Sequence, residues 1–332
     1  MTTTASPDPA TALPRTAGDT AAEYAAAHAG AVAVWRNQEG RVRGLDRDRL
    51  DLLHRMSTND LNNLPVGEAR QTVLTTPIAR IVDVVWVLNR GETALMLTGE
   101  GRATAVRRWL AGYIFYNDKV KYVDASAELG QFGLYGPQAA QAAEALLPGA
   151  AALAENRFLG QDEVIVLRGR PLAGDGFTVI APAERAPDLW ERVLRAGAVP
   201  AGDETYELLR LKAGQPAAGH ELTENYIPLE ANLWPAVSFN KGCYIGQEII
   251  ARMESRGKLA RRLVGLRLDA PVDVGGEVQA EGGGVAGTVT SAGVLPDLGP
   301  VALAFLKTAQ AEPGTAVRVG EAVGIVAALP FG

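Results

Sequence analysis

From residue 259 onward the chain loses every trace of a helical period. Short alternating segments at 263–268, 277–280, 287–291, 301–306, 316–319 and 324–327 are separated by Gly- and Pro-containing turns. Strands this short and this evenly spaced cannot each build a core, and a small antiparallel barrel is the economical way to bury their apolar faces together. The switch at 256–259 therefore marks a boundary, and a β-barrel is expected over 258–332.

Upstream of that boundary strands and helices mix. Strand patterns fall at 31–35, 41–44, 73–77, 81–88, 94–98 and 120–125, and helical patterns at 47–56, 101–111 and 137–147. A second series follows: a strand at 163–168, a Gly-rich hairpin at 173–177, a strand at 178–181, and helices at 187–196 and 203–212. The order lacks the regular βαβ alternation of a doubly wound sheet, so the fold class is α+β. A chain of 332 residues exceeds one ordinary core. Two α+β blocks are expected, at 23–150 and 151–257, ahead of the barrel. The first residues are rich in Thr, Ala and Pro without an apolar run, and read as a disordered tail over 1–22 with no secretory signal.

Composition removes several function classes. With 47% hydrophobic and 21% charged residues the chain has the make-up of a soluble globular protein, and no window is apolar enough to span a membrane. Its net charge of −6 and interspersed charges argue against direct nucleic-acid binding. The densest basic cluster is Arg252, Arg256, Lys258, Arg261 and Arg262. It reads either as a solvated helix end and strand start or as the lining of an anion site. A single cysteine excludes an internal disulfide and fits a reducing, cytoplasmic setting. With His28, His54 and His220 widely spaced, no resident metal or iron–sulfur cluster is expected. Gly99-Glu100-Gly101 follows a strand but lacks the third glycine of a dinucleotide loop.

The cysteine lies in Lys241-Gly242-Cys243-Tyr244-Ile245-Gly246-Gln247-Glu248. Two glycines bracket a tight loop, and 248–254 reads as a helix with Ile249, Ile250 and Met253 on its apolar stripe. Cys243 is thus expected near a helix N-terminus, where unpaired amides favour a thiolate, with Lys241 adding positive charge. The alternative is that a lone cysteine is a small buried hydrophobe.

This octapeptide resembles the signature of the YgfZ-type folate-binding proteins, relatives of the glycine-cleavage aminomethyltransferase (T-protein). Asn225 to Leu233 resembles the family's Ile-Pro-x-Glu segment, and Thr58-Asn59-Asp60-Leu61 its Thr-Asn-Asp element. The stretch from Arg261-Arg262-Leu263 through Val289-Thr290-Ser291 to Pro330-Phe331 is similar to the superfamily's C-terminal barrel. The resemblance implies an aminomethyltransferase-like fold and tetrahydrofolate or a related reduced folate as ligand. It further implies an accessory role in assembly or repair of iron–sulfur client enzymes, including tRNA-modifying ones, through Cys243. Two alternatives stand beside it: a folate-dependent aminomethyltransferase or demethylase, which would not need Cys243, and a folate-sensing interaction module.

Candidate folate contacts follow. Asp83 interrupts the apolar run Ile81-Val82-Asp83-Val84-Val85-Trp86, so its carboxylate must meet a donor, a ligand or an opening. In the aminomethyltransferases an acidic pair at this point lies beside the folate's reactive nitrogens; here one acid is kept and the other position is Val84. The segment Arg170 to Phe177 resembles the family hairpin whose glutamate reads the pteridine edge, with Asp175 the nearest acid. A carboxylate suits that task because it accepts paired N–H donors; an ordinary Asp-Gly turn is the alternative. Glu230, Arg210 and Tyr244 complete the set, Arg210 having a core-edge ion pair as its alternative.

Overall fold

The computed structural model describes residues 18–257 and 259–332. It divides into two compact units, each assembled from separated stretches of chain. One comprises the described residues up to Glu39 together with Ala125–Leu209, and the other Gly40–Asp124 together with Arg210–Gly332. The contiguous blocks expected at 23–150 and 151–257 are therefore interleaved, because the first unit's sheet recruits strands from both.

That sheet has six strands in the order Val199–Ala201, Val32–Trp35, Leu129–Gly136, Asp175–Pro182, Val164–Arg168, Phe158–Gln161. Val32–Trp35 pairs in parallel with Val199–Ala201 and antiparallel with Leu129–Gly136. Side chains two apart share a face, and Phe132, Leu134, Val164, Val166, Phe177 and Val179 form one core with Leu189, Trp190 and Val193. The last three lie at helical spacing on Ala186–Arg195, whose Pro187 suits a helix start. Trp35, Phe132 and Trp190 lock the centre, Trp190 meeting the other two rings edge-on at 5.4 and 5.6 Å.

Residues 20–22, expected to belong to the disordered tail, are helical. Thr20–Ala29 is a helix capped by Asp19, whose Oδ1 accepts the Ala21 N–H at 2.9 Å; residues 1–17 lie outside the described residues. Tyr24 and Ala27 bury its apolar side.

The first unit also contains a buried charge cluster. The Glu39 carboxylate receives Arg170 Nη1 at 2.7 Å, Gln131 Nε2 at 2.7 Å and Arg36 Nε at 3.3 Å. The Arg36 guanidinium lies 3.7 Å above the Tyr206 ring. Burial by itself raises the Glu39 carboxyl, but Arg170 and Arg36, with the hydrogen bonds from Arg170 and Gln131, overcome it and hold the group at about 2.

In the second unit a five-stranded sheet runs Ala69–Thr75, Ile81–Asn89, Ala94–Glu100, Glu39–Leu45, Lys121–Asp124. Ile81–Asn89 is interior and buried at every position, as its continuous apolar run requires. Helices Arg49–Met56 and Ala103–Ala111 contribute Leu52, Leu53, Val106 and Leu110 to the core of this sheet.

The same unit holds a closed six-stranded barrel in the order Arg261–Leu268, Gly299–Lys307, Val285–Leu295, Glu277–Ala280, Ala316–Val319, Ala322–Ala327. Ala322–Ala327 returns to pair with Arg261–Leu268, so no strand edge remains open. The barrel is joined to the rest of its unit. Phe305 stacks on Tyr226 at 3.4 Å, the Leu263 N–H donates to the Glu230 carbonyl at 2.8 Å, and Asn232 Nδ2 donates to the Leu263 carbonyl at 2.9 Å. Among the described residues no helix is long and apolar enough to cross a membrane.

The Glu39 cluster has a measurable signature. Its folded-state carboxyl lies below the ordinary 4.5, so its stabilising contribution is complete above about pH 4.5 and is lost as pH falls toward 2. Urea unfolding followed across that window is expected to show stability dropping with acid. Glu39→Gln should be less stable at pH 7 and flatter between pH 4.5 and 2; an unchanged acid profile would contradict the assignment.

Candidate functional site

The octapeptide is anchored at both ends. At one end Lys241 is buried, and its Nζ donates to the backbone carbonyls of His54 at 2.5 Å, Ser57 at 2.8 Å and Asn59 at 2.7 Å. These carbonyls come from the last turn of Arg49–Met56 and the residues just after it. A helix C-terminus leaves carbonyls without intrahelical donors and carries partial negative charge, so an ammonium suits the position. Burial nevertheless draws the Lys241 ammonium down to about 7, against the opposing attraction of Asp60.

At the other end Tyr244 is buried with Ala79, Ile227, Leu229, Val237 and Ile250. Lys241 Nζ lies 4.9 Å from its ring, and burial pushes its hydroxyl up to about 12. The Ile245 N–H donates to the Arg55 carbonyl at 3.0 Å, and the Ile245 carbonyl accepts the Thr75 hydroxyl at 2.9 Å. Gly246 has φ 82°, and a β-carbon there would lie 2.9 Å from the Thr76 carbonyl oxygen. Only glycine meets both demands. Between the anchors Gly242 and Cys243 are exposed. The helix begins at Gln247, one residue ahead of the expected 248, so Cys243 precedes it and lies outside its first turn. Lys241, expected to add charge to that thiol, has its three donor directions directed at backbone carbonyls.

The Thr58–Leu61 element builds the same region from the other side. Thr58 Oγ1 donates to the Ala236 carbonyl at 2.6 Å and accepts the Val73 N–H at 3.1 Å. Asn59 Nδ2 donates to the carbonyls of Gln71 at 2.9 Å and Pro235 at 3.2 Å. His54 Nδ1 accepts the Leu61 N–H at 3.2 Å. Burial and the neighbouring Lys241 lower the His54 ring, with Asp60 opposing, which suits this acceptor role. Two motifs far apart in sequence thus form one hydrogen-bonded assembly.

Asp83 finds the donors its burial demands. Its Oδ1 accepts the Val84 N–H at 2.9 Å and its Oδ2 accepts the Gly99 N–H at 3.1 Å. The approach is close enough that a β-carbon on Gly99 would lie 3.0 Å from Oδ1 and 2.5 Å from the Ala218 β-carbon. Of the Gly99-Glu100-Gly101 pair, the first glycine therefore makes room for a carboxylate. The result is a carboxyl group fixed in one orientation on an interior strand by backbone amides.

Glu230 is buried as well. Its Oε2 accepts the Ile227 N–H at 3.3 Å, and burial raises its carboxyl above the ordinary range against the pull of that amide, Arg261 and Arg80. Arg210 is wholly engaged by protein groups: Nη1 donates to the Gln215 carbonyl at 2.9 Å and Glu221 Oε2 at 3.4 Å, and Nη2 to the Ser291 hydroxyl at 3.1 Å. Ser291 in turn donates to Glu221 Oε1 at 2.7 Å. This network ties the end of helix Asp203–Lys212 to barrel strand Val285–Leu295.

Asp175 belongs to the first unit, while Asp83, Arg210, Glu230, Lys241, Cys243 and Tyr244 belong to the second. Asp175 opens strand Asp175–Pro182 and accepts Arg168 Nη2 at 2.6 Å, its side chain remaining 32% exposed. Sequence reading missed Glu39, Arg36, Gln131 and Tyr206, since isolated polar residues carry no periodic signal. Arg170 stands out in the sequence only as the first residue of the hairpin segment.

Residues 16–241 match the GCVT N-terminal domain, and residues 261–328 match the glycine cleavage T-protein C-terminal barrel domain. The chain is 32% identical over 311 residues to a chloroplastic protein of Arabidopsis thaliana named as a transferase, covering 91% of this chain and 71% of that one. It is 32% identical to an aminomethyltransferase of Symbiobacterium thermophilum (85% of this chain, 79% of that one) and 33% identical to one of Rubrobacter xylanophilus (85% and 77%). In fold it is similar to the crystal structure of the glycine cleavage system aminomethyltransferase T from Bartonella henselae, with a TM-score of 0.86 at 24% identity, covering 94% of this chain and 89% of that one.

Replacing Lys241 by Ala strips three buried carbonyls of their shared donor. Urea unfolding is expected to register a loss of about 2–4 kcal/mol. Exposed Cys243 should alkylate with iodoacetamide in the native protein. Reaction only after denaturation would show that the loop is closed over the thiol in solution.

Proposed function

We propose that this chain, which belongs to the glycine-cleavage T-protein family, binds a reduced folate and moves a one-carbon unit as a folate-dependent aminomethyltransferase or demethylase. The observation that carries the reading is Asp83: a carboxylate fully buried in an interior strand and pinned by two backbone amides. A carboxylate pre-oriented in this way is suited to stabilise positive charge developing on a bound amine. The relatives named aminomethyltransferase support this ahead of the iron–sulfur accessory role expected from the octapeptide.

The donor chemistry suits a reduced folate. A pterin offers paired N–H groups, and the chain offers Asp83 or the partly exposed Asp175 as the acceptor. Tetrahydrofolate, when bound, supplies the nitrogens that carry the one-carbon unit. The protein's part is to orient the ring, hold charge at Asp83 and keep that carboxylate away from water. By resemblance one acid of the aminomethyltransferases' pair is kept at Asp83 and Val84 stands at the other position, a departure that weighs against full aminomethyl transfer.

A second reading rests on Cys243. A thiol presented to solvent between two buried anchors fits the YgfZ-type accessory role, in which a folate-binding protein serves iron–sulfur enzymes. The two readings part at that residue. Titration calorimetry with tetrahydrofolate is expected to show binding, weakened at least tenfold in Asp83→Asn or Asp175→Asn. No heat and no thermal shift at millimolar ligand would remove the folate. Complementation of an iron–sulfur-deficient strain that depends on Cys243, tested with Cys243→Ala, would favour the accessory reading; one-carbon transfer untouched by Cys243→Ala would favour the transferase.

A further inference from the structure

The basic cluster of Arg252, Arg256, Lys258, Arg261 and Arg262 resolves residue by residue. Arg252 Nη2 pairs with Glu248 Oε1 at 2.6 Å on its own helix, and Arg261 acts on the buried Glu230 carboxyl. The side chains of Arg256 and Lys258 lie outside the described residues. Arg262 differs, because it lines a cleft of about 420 Å³ that lies wholly within the second unit. That is the size of a small-molecule site. Arg262 carries the one charge among the described lining residues, and Leu259, Pro313 and Leu329 give the cleft an apolar surface. The walls are held by the fold itself. Gly214 turns at φ 65°, and a β-carbon there would lie 2.8 Å from that of Leu329. The segment carrying Leu329 is tied down by the Phe331 N–H, which donates to the Lys212 carbonyl at 2.9 Å, and Phe331 is buried. Asn232 adopts φ 59°, a left-handed conformation that asparagine tolerates, and its Nδ2 is bound to the Leu263 carbonyl at 2.9 Å. Trp234 remains 42% exposed with its ring 6.1 Å from that of Phe239. An indole steadied in this way and open to solvent offers a stacking face. The Arg262 guanidinium meets Glu312 at 3.6 Å, the two side chains being 49% and 72% exposed. A pair so long and so exposed is weak and gives way readily to a better acceptor.

We infer that this cleft is a binding site for a small aromatic carboxylate, which places its carboxylate on Arg262 and its ring against Trp234. The charge of the ligand follows from the lining. One guanidinium, unsupported by a second cation there, balances a monoanion, and its planar fork matches the two oxygens of a carboxylate. The body of the ligand follows from the rest. A flat ring uses the indole face and the apolar surface of Pro313 and Leu329, whereas a hydrated polar body would lose solvent without replacement. Because the walls are already fixed, little ordering opposes binding. Glu312 then competes with the ligand for the guanidinium. None of Asp83, Asp175 and Cys243 lines the cleft, so the inference goes beyond the one-carbon reading and does not depend on it.

The test adds benzoate to the full chain and follows backbone amide and indole N–H shifts by NMR. Saturable shifts are expected at Gly214, Leu263 and Leu329 and at the Trp234 indole, with half-saturation in the millimolar range. Benzyl alcohol keeps the ring without the charge, and acetate keeps the charge without the ring; each should bind about tenfold more weakly. Arg262→Gln is expected to weaken benzoate about tenfold and to leave benzyl alcohol unchanged, whereas Glu312→Gln should tighten benzoate about threefold. Both side chains are exposed, so both variants should keep the wild-type urea midpoint. Saturating tetrahydrofolate should leave the benzoate shifts in place. Shifts that do not saturate, or that spread over the surface without singling out the cleft, overturn the site. Benzoate binding unchanged in Arg262→Gln overturns the assigned anchor. Displacement of benzoate by tetrahydrofolate overturns the cleft as a separate site, and a failure of tetrahydrofolate to bind at all leaves the benzoate result standing on its own.

Discussion

A helix that stops inside a protein leaves carbonyl oxygens with no donor, and in the second unit that of His54, with those of Ser57 and Asn59 just past the helix, meets the ammonium of Lys241. Much of the local layout follows from satisfying them. The ammonium fixes where the Thr58–Leu61 turn runs, because three of its carbonyl-bearing neighbours must face one point. It fixes where the octapeptide enters, because Lys241 has to reach that point from above. Tyr244 and Ile245 then lie over residues 55 and 75–79, and Gly246 permits the closest approach. Two motifs that look independent in the sequence are two sides of one polar contact.

The barrel and the alternating helices and strands were legible because they depend on periodicity, which survives in a bare sequence. Asp83 was legible as a problem, since a charge in an apolar run needs a partner, but its partners are the backbone amides of Val84 and Gly99, and no side-chain pattern announces them. Lys241 misled for the same reason. Read beside Cys243 it looked like a charge meant for a thiol, whereas its partners are backbone oxygens that have no sequence signal. The strand Leu129–Gly136 escaped notice because Gly130, Gly133 and Gly136 dilute its apolar alternation, although it sits in the middle of the first sheet. Gly133 is needed there: a β-carbon would lie 2.3 Å from the Tyr135 hydroxyl.

The site residues divide by what holds them. Arg210, Lys241 and Glu39 are tied to groups of the protein itself, and each joins elements far apart in the chain. Asp175 and Cys243 keep a face toward solvent. A charged residue whose partners are all internal sets shape, and one with an open side can take part in an encounter. Asp83 is internal, and its carboxylate accepts the backbone amides of Val84 and Gly99.

The interleaving of the two units bears on how the protein is made. Val32–Trp35 is among the first strands to leave the ribosome, yet its two neighbours, Leu129–Gly136 and Val199–Ala201, are synthesised roughly 100 and 165 residues later. During that interval the early strand has both edges unpaired while residues of the other unit emerge between its halves. Distant pairings of this kind close slowly, since the loop entropy is lost before any contact repays it. The nascent chain therefore spends its most vulnerable period with Ala31, Val32, Ala33 and Val34 uncovered. Chaperone dependence and inclusion-body formation on rapid overexpression are the expected consequences of a sheet whose first strand must wait for its last.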